Sequence, residues 1–404
     1  MGGTIGGIIM LTEQRKTQII ELCQELVKIR SYSGEEGKLV NKIKEAFLAM
    51  GYDDFYIDSY GNIVGHIKGK GKGAKILFDG HMDTVPVVDE TVWKHNPFSG
   101  EIEAGKLYGR GASDMKGAIA SMICAGAFFA EDTGKNFMGD IYVAGVVHEE
   151  CFEGIAARNI SKRIKPDYVV IGEASECNLK IGQRGRAEIV LETFGKPAHS
   201  ANPQEGINAV NKITLLINEI NKLKVSHDDF LGDGILELTD IKSSPYPGAS
   251  VVPDYCKATY DRRLLVGEEK EEVLKPIEEI IERFKKEDEK LNAKVSFAKG
   301  QEKCFTGEVI SGERFFPAWK YSVEDKFVKA TFESIRNYGI DAIITHYSFC
   351  TNGSHYAGEA GIRTLGFGPS KESLAHTVDE YVEIEQLYRA SLGYYAIIDG
   401  LLKE

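Results

Sequence analysis

The sequence predicts an α/β chain in which a mainly parallel sheet covered by helices is interrupted by a smaller α+β insertion. Two observations carry this reading. Up to about residue 183, short apolar runs alternate with stretches of helical periodicity, whereas residues 184–299 follow the order strand, helix, strand, strand, helix, strand. The second order is βαββαβ, the ferredoxin-like unit. Beyond it the first pattern resumes, so residues 10–183 and 300–404 are expected to build one domain and residues 184–299 another. A chain of 404 residues suits two domains.

Each element has its own signal. Ile19, Leu22, Leu26 and Ile29 share one face of a helix over 12–29. Ser33 and Glu36 have capping-box spacing ahead of a second helix lined by Val40, Ile43, Phe47 and Met50 and stopped by Gly51. Ile76-Leu77-Phe78, 141–147 and 168–171 read as buried strands, with helices over 115–130 and 154–163 between them. In the insertion, strands are expected at 187–194, 235–241, 256–263 and 295–297, with helices at 206–224 and 268–286. A helix at 323–338, a buried strand at 363–367 and a helix at 384–402 complete the chain.

Composition excludes several classes. With 49 Lys+Arg against 61 Asp+Glu the net charge is −12, and no basic run supplies the footprint that nucleic acid requires. Seven scattered cysteines without a Cys-x-x-Cys pair read as reduced thiols of a cytoplasmic protein, neither a disulfide framework nor a thiolate zinc site. No apolar run approaches the roughly 18 residues of a membrane span, so no membrane partner is expected. The Gly-rich opening through Ile9 reads as an extension, with Met10 starting the folded chain.

The chemistry sits where strands end. Ile76-Leu77-Phe78 runs into His81-Met-Asp83, 141–147 into Glu149-Glu150, 168–171 into Gly172-Glu173, and 363–367 towards His376. Asp114 lies in a Gly-rich turn at a helix start, where a helix N-cap would explain it alone. Taken singly, each has an ordinary structural explanation. Together they gather beyond the carboxyl ends of strands in an open α/β sheet, the place where such sheets bind ligands. Carboxylates and two imidazoles crowded there call for a cation, zinc first, with cobalt or manganese also suited to mixed N/O donors. If one carboxylate bridges, five ligands hold two metal ions and one acid is left to activate water.

These residues, with Gly195-Lys-Pro-Ala-His199-Ser and His376-Thr-Val-Asp-Glu, occur in an order that resembles the dizinc amidohydrolases and peptidases of the acetylornithine deacetylase, succinyl-diaminopimelate desuccinylase and aminoacylase family. Within it the chain is most similar to the YgeY-type hydrolases linked to selenium and purine metabolism. The resemblance implies that His81 and Glu173 hold one metal and Glu150 and His376 the other, with Asp114 bridging and followed by a cis peptide. It implies Glu149 as general base, Asp83 as the residue orienting His81, and a homodimer through a lid formed by the insertion. On that lid Arg263 would grip a substrate carboxylate, and His199 would polarise the scissile carbonyl, supplied in dimeric members by the partner subunit. Ser250 and Asn352 depart from the family's usual residues at positions that face substrate, while Arg184, Lys116 and Cys350 have packing or salt-bridge readings of equal weight. The expected reaction is hydrolysis of the amide bond of a small N-acyl amino acid or dipeptide. The alternatives are an allantoate-type ureido hydrolase and a non-catalytic binding protein on the same fold.

Overall fold

The computed structural model describes residues Leu11–Lys403, and the expectation about the first nine residues lies outside them. Two compact units result: residues 11–183, 301–311 and 320–403 form the first, and residues 184–300 and 312–319 the second.

In the first unit, α1 (Glu13–Val27) is capped by the Thr12 hydroxyl, which accepts the Arg15 N–H at 3.3 Å, and it buries Ile19, Leu22 and Leu26 at helical spacing. Helix α2 (Gly37–Ala49) buries Leu39, Val40, Ile43 and Phe47. The capping box expected before it is not made. The Ser33 hydroxyl donates to Asp83 at 2.7 Å instead, and the fully buried Glu36 accepts the Gly34 N–H at 3.0 Å. Strands β1 (Asp54–Ile57), β2 (Ile63–Lys68) and β3 (Gly71–His81) follow. Helix α3 (Gly117–Thr133) is buried along nearly its whole length and ends at Gly134 in the left-handed conformation. Then come β4 (Met138–Val146), α4 (Ala157–Ile164), β5 (Tyr168–Ile171) and β6 (Leu179–Gln183).

The second unit contains β7 (Gly185–Phe194), α5 (Ala209–Ile220), β8 (Ile235–Ser244), β9 (Tyr255–Leu264), α6 (Lys270–Glu287) and β10 (Asn292–Phe297). Its antiparallel sheet has the order β8-β9-β7-β10, the ferredoxin-like arrangement, with Ile189, Leu191, Ile213, Leu216 and Tyr260 among its core residues. Residues 312–319 join this unit, because Phe315 and Phe316 pair with β7 and Phe315 enters the same core.

The chain returns to the first unit as α7 (Lys326–Asn337), β11 (Ile344–Tyr347), β12 (Arg363–Gly366) and α8 (Ile384–Leu401). The large sheet runs β1-β2-β4-β3-β5-β12-β6, with β11 beside β6. Its centre, β4-β3-β5-β12, is parallel. The pairs β1–β2 and β2–β4 on one side, and β12–β6 on the other, are antiparallel. The last six residues of β3 and all of β5 are buried, as strands covered on both faces must be. Among the described residues no helix is long and apolar enough to cross a membrane, and all seven cysteines are free thiols.

Candidate metal centre

Because β4, β3, β5 and β12 are parallel, their carboxyl ends lie on one side of the sheet. His81 closes β3, Glu149 and Glu150 follow β4, Glu173 follows β5, and the chain leaving β12 reaches His376. Asp114 does not cap α3. It occupies an irregular turn before it, with φ −132° and ψ 89°, a cis bond to Met115 and its carboxylate turned towards the two histidines.

Asp114 stands between the imidazoles. Its Oδ1 is 2.7 Å from His81 Nε2 and its Oδ2 is 3.1 Å from His376 Nε2. Glu173 Oε1 lies 3.5 Å from His81 Nε2, and Glu150 Oε2 lies 3.1 Å from His376 Nε2. Donor atoms of His81, Glu149 and Glu173 fall within 4.8 Å of one another, as do those of His81, Asp114 and Glu150. All six residues singled out as ligands or base are therefore in one place.

The electrostatics of the cluster favour a cation. Burial pushes the Glu149 carboxyl well above its usual range; His81 pulls it back, while Glu173 and Glu150 push it further. Burial and the Asp114 charge raise Glu173 and Glu150 as well. Burial opposes a charged His81, yet Asp114 and Glu173 outweigh it and raise its pKa well above normal. Hydrogen bonds to Asp114 and Glu150 lift His376 to about 10. Asp114 itself is held far below the carboxylate range, burial notwithstanding, by the two histidines. Four carboxylates crowded around two imidazoles ionise together only at a cost unless more positive charge is supplied, and Glu149 Oε1 has no hydrogen-bond partner among the described residues. Divalent cations held by imidazole and carboxylate donors fit this set.

The supporting contacts differ from those expected. His81 Nδ1 is 2.8 Å from the Asp83 carbonyl oxygen, whereas the Asp83 carboxylate is 3.8 Å away. That carboxylate accepts the Glu149 N–H at 3.0 Å, the Glu150 N–H at 3.2 Å and the Ser33 hydroxyl at 2.7 Å. Asp83 thus orients His81 through its backbone, and its side chain holds the backbone of Glu149 and Glu150. Asn352 is 2% exposed, with its amide bonded to Asp79 and Gly154, so it supports the site from within and does not face substrate. Lys116 is likewise buried, donating to the Ile29 carbonyl at 2.6 Å.

Glu380 was not singled out from the sequence. Its buried Oε1 accepts the N–H groups of Gly111, Ser113 and Asp114 at 3.0, 2.9 and 3.1 Å, and its Oε2 pairs with Arg110 at 2.5 Å. The turn carrying Asp114 is thereby tied to a residue four positions beyond His376. That spacing was the only trace of it in the sequence.

The remaining predicted residues lie in the second unit. His199 bridges Val251, the Ser200 N–H donates to the Ser250 carbonyl at 3.0 Å, and Ser250 has φ +59°. These contacts bring His199 and Ser250 together. Arg263, on β9, pairs with Asp261 at 2.8 Å.

Comparison with known proteins agrees with this architecture. The chain is 32% identical over 396 residues to the uncharacterized protein YgeY of Escherichia coli (strain K12), covering 96% of each. It is 27% identical to an acetylornithine deacetylase of Buchnera aphidicola subsp. Schizaphis graminum, covering 90% of this chain and 93% of the relative. The aminopeptidase PepT of Bacillus cereus superposes with a TM-score of 0.74 at 19% identity, over 97% of this chain and 99% of that one. Residues 77–399, which include all six clustered residues, match peptidase family M20/M25/M40, and the chain belongs to that family.

Proposed function

We propose that this chain hydrolyses the amide bond of a small N-acyl amino acid or dipeptide, with Glu149 as general base. The observation that carries the reading is Glu149 itself, a buried carboxyl with one oxygen lacking a hydrogen-bond partner among the described residues, set beside the cluster of imidazoles and carboxylates joined by Asp114. Family membership supports a metallohydrolase of amide bonds, and the acetylornithine deacetylase relative supports the N-acyl class. His81 and Glu173 would hold one divalent cation, Glu150 and His376 a second, with Asp114 shared; zinc is favoured, and cobalt or manganese also suit these donors. Such cations, when bound, polarise the scissile carbonyl and acidify water.

The chain's own groups do the rest. Glu149 takes a proton from the attacking water and passes it to the leaving nitrogen, a role for which burial raises its proton affinity. Asp83 keeps Glu149 and Glu150 in place through their backbone N–H groups. Arg263 grips the substrate carboxylate, Ser250 lines the substrate beside His199, and His199 stabilises the oxyanion, donated across a homodimer by the partner subunit. Free thiols and a net charge of −12 support a cytoplasmic enzyme without nucleic-acid or membrane partners.

The test is a screen of metal-reconstituted protein against N-acyl amino acids, dipeptides and ureido acids, before and after chelation. Release of free amino acid that stops on chelation is expected. Ammonia and carbon dioxide from ureido acids alone would assign the ureido reaction instead, and no turnover with any class would overturn the proposal.

A further inference from the structure

Asp79 stands two residues before His81 on β3, so both side chains point to the same face of the strand. It is 1% exposed, and no part of the proposed chemistry uses it. Its Oδ1 accepts from the Asn352 amide at 2.9 Å and its Oδ2 from the Tyr356 hydroxyl at 2.8 Å, while its backbone carbonyl accepts the N–H of Gly172, the neighbour of Glu173. The other end of the Asn352 amide, Oδ1, accepts the Gly154 N–H at 2.7 Å. Gly154 lies two residues beyond the turn His148–Phe152, which carries Glu149 and Glu150, in the run of turns that leads to α4. It has φ +89°, and a Cβ there would lie 2.7 Å from the Cβ of His355, so the turn is pressed against the segment that holds Tyr356.

We infer that Asn352 is a positioning residue, a two-ended bridge that sets the distance of Glu149 and Glu150 from His81 by binding Asp79 with one end and Gly154 with the other. The inference rests on the metal-centre reading above and adds to it the part that keeps three strand ends in register. With an ionised carboxylate at 79, an amide suits that bridge because one end donates to the carboxylate and the other accepts from an N–H. The negative charge, however, belongs to the contact and not to position 79. With asparagine at 79 and aspartate at 352, residue 79 donates its amide to one aspartate oxygen and accepts from Tyr356, while the other aspartate oxygen accepts from Gly154. Every hydrogen bond survives the exchange. Asn352→Asp alone places two buried carboxylates against each other and opens one end of the bridge.

The experiment compares wild type, Asn352→Asp, Asn352→Ala and the double variant Asp79→Asn/Asn352→Asp. Zinc affinity is read by competition with a chromogenic chelator, amide exchange at 150–156 in metal-free protein, and kcat and KM separately. Asn352→Asp is expected to weaken zinc binding about 10- to 100-fold, the usual effect of losing a group that orients ligands, and to lower kcat with KM little changed. The double variant is expected to return to within about threefold of wild type. Asn352→Ala should lose the exchange protection of Gly154, and the double variant should keep it. A double variant that folds yet binds zinc as weakly as Asn352→Asp overturns the inference, as does an Asn352→Asp protein with wild-type affinity. If Asn352→Asp does not fold, folding and zinc binding of the double variant decide the matter alone. Wild type that binds no divalent metal defeats the metal-centre reading, and Gly154 exchange then still tests the bridge.

Discussion

Glu149 and Glu150 are adjacent in the chain and differ in what they face. Glu150 meets His376 at 3.1 Å, while Glu149 keeps an oxygen with no hydrogen-bond partner among the described residues. Glu149→Gln should therefore retain metal and lose most turnover, since an amide takes no proton from water, whereas Glu150→Gln should lose metal from one of the two sites. Metal analysis of the two variants beside their kcat values checks this, and equal metal loss in both would contradict the assignment. Arg263 allows a second test at this scale. Arg263→Ala should reduce kcat/KM for substrates with a free α-carboxylate by about 10- to 100-fold, the equivalent of a charge-assisted pair of roughly 1.5–3 kcal/mol. Amidated analogues should be barely affected; an equal loss for both would leave Arg263 only its pairing with Asp261.

Among the local elements, the turn before α3 shows how a carboxylate is aimed at two imidazoles without regular structure. Asp114 at a helix start invites the N-cap reading, yet its φ and ψ are not those of a cap, and the N–H groups of the turn are taken up by Glu380, 266 residues away in sequence. Removing that carboxylate leaves three buried N–H groups and the Arg110 guanidinium uncompensated. Glu380→Ala should cost about 3–5 kcal/mol, the range for breaking a buried pair from one side. Urea denaturation in chelator measures it without interference from metal binding. Adding Arg110→Met should recover part of the loss; a double variant no more stable than Glu380→Ala would show that the pair matters less than the backbone contacts.

For the molecule as a whole, assembly is the open question with the sharpest test. Among the described residues strand β8 pairs only with β9, forming one edge of its sheet, and it exposes Ile235 and Ile241, as a strand that receives a second copy would. If the insertion dimerises and His199 serves the neighbouring chain, His199→Ala and Glu149→Gln homodimers should each be nearly inactive. A mixed dimer regains one intact site, so subunit exchange should restore activity up to about half of normal per heterodimer, given the usual scale of oxyanion stabilisation. Verified heterodimers as inactive as their parents would rule out the exchange of His199.

Sequence by itself determined the alternation of strands and helices, the βαββαβ order of the insertion, and His81, Asp114, Glu149, Glu150, Glu173 and His376. His81, Glu149, Glu150 and Glu173 were legible because they stand at or just beyond the ends of apolar strand runs, whereas Asp114, in a Gly-rich turn, and His376, ten residues past β12, were legible only as part of the whole set and its resemblance to a family. Tertiary structure alone decided how that set is held. Ser33 and Glu36 have capping spacing but turn inwards, Asp83 orients His81 by its carbonyl and the two glutamates by its carboxylate, and Phe315 draws residues 312–319 into the second unit. Asp79, Asn352 and Glu380 act on groups far away in the chain. A buried carboxylate or amide takes its role from the donors and acceptors that folding brings to it. Their distance along the chain from the groups they hold leaves no period from which that role can be read, and only Glu380 has a spacing, four residues beyond His376.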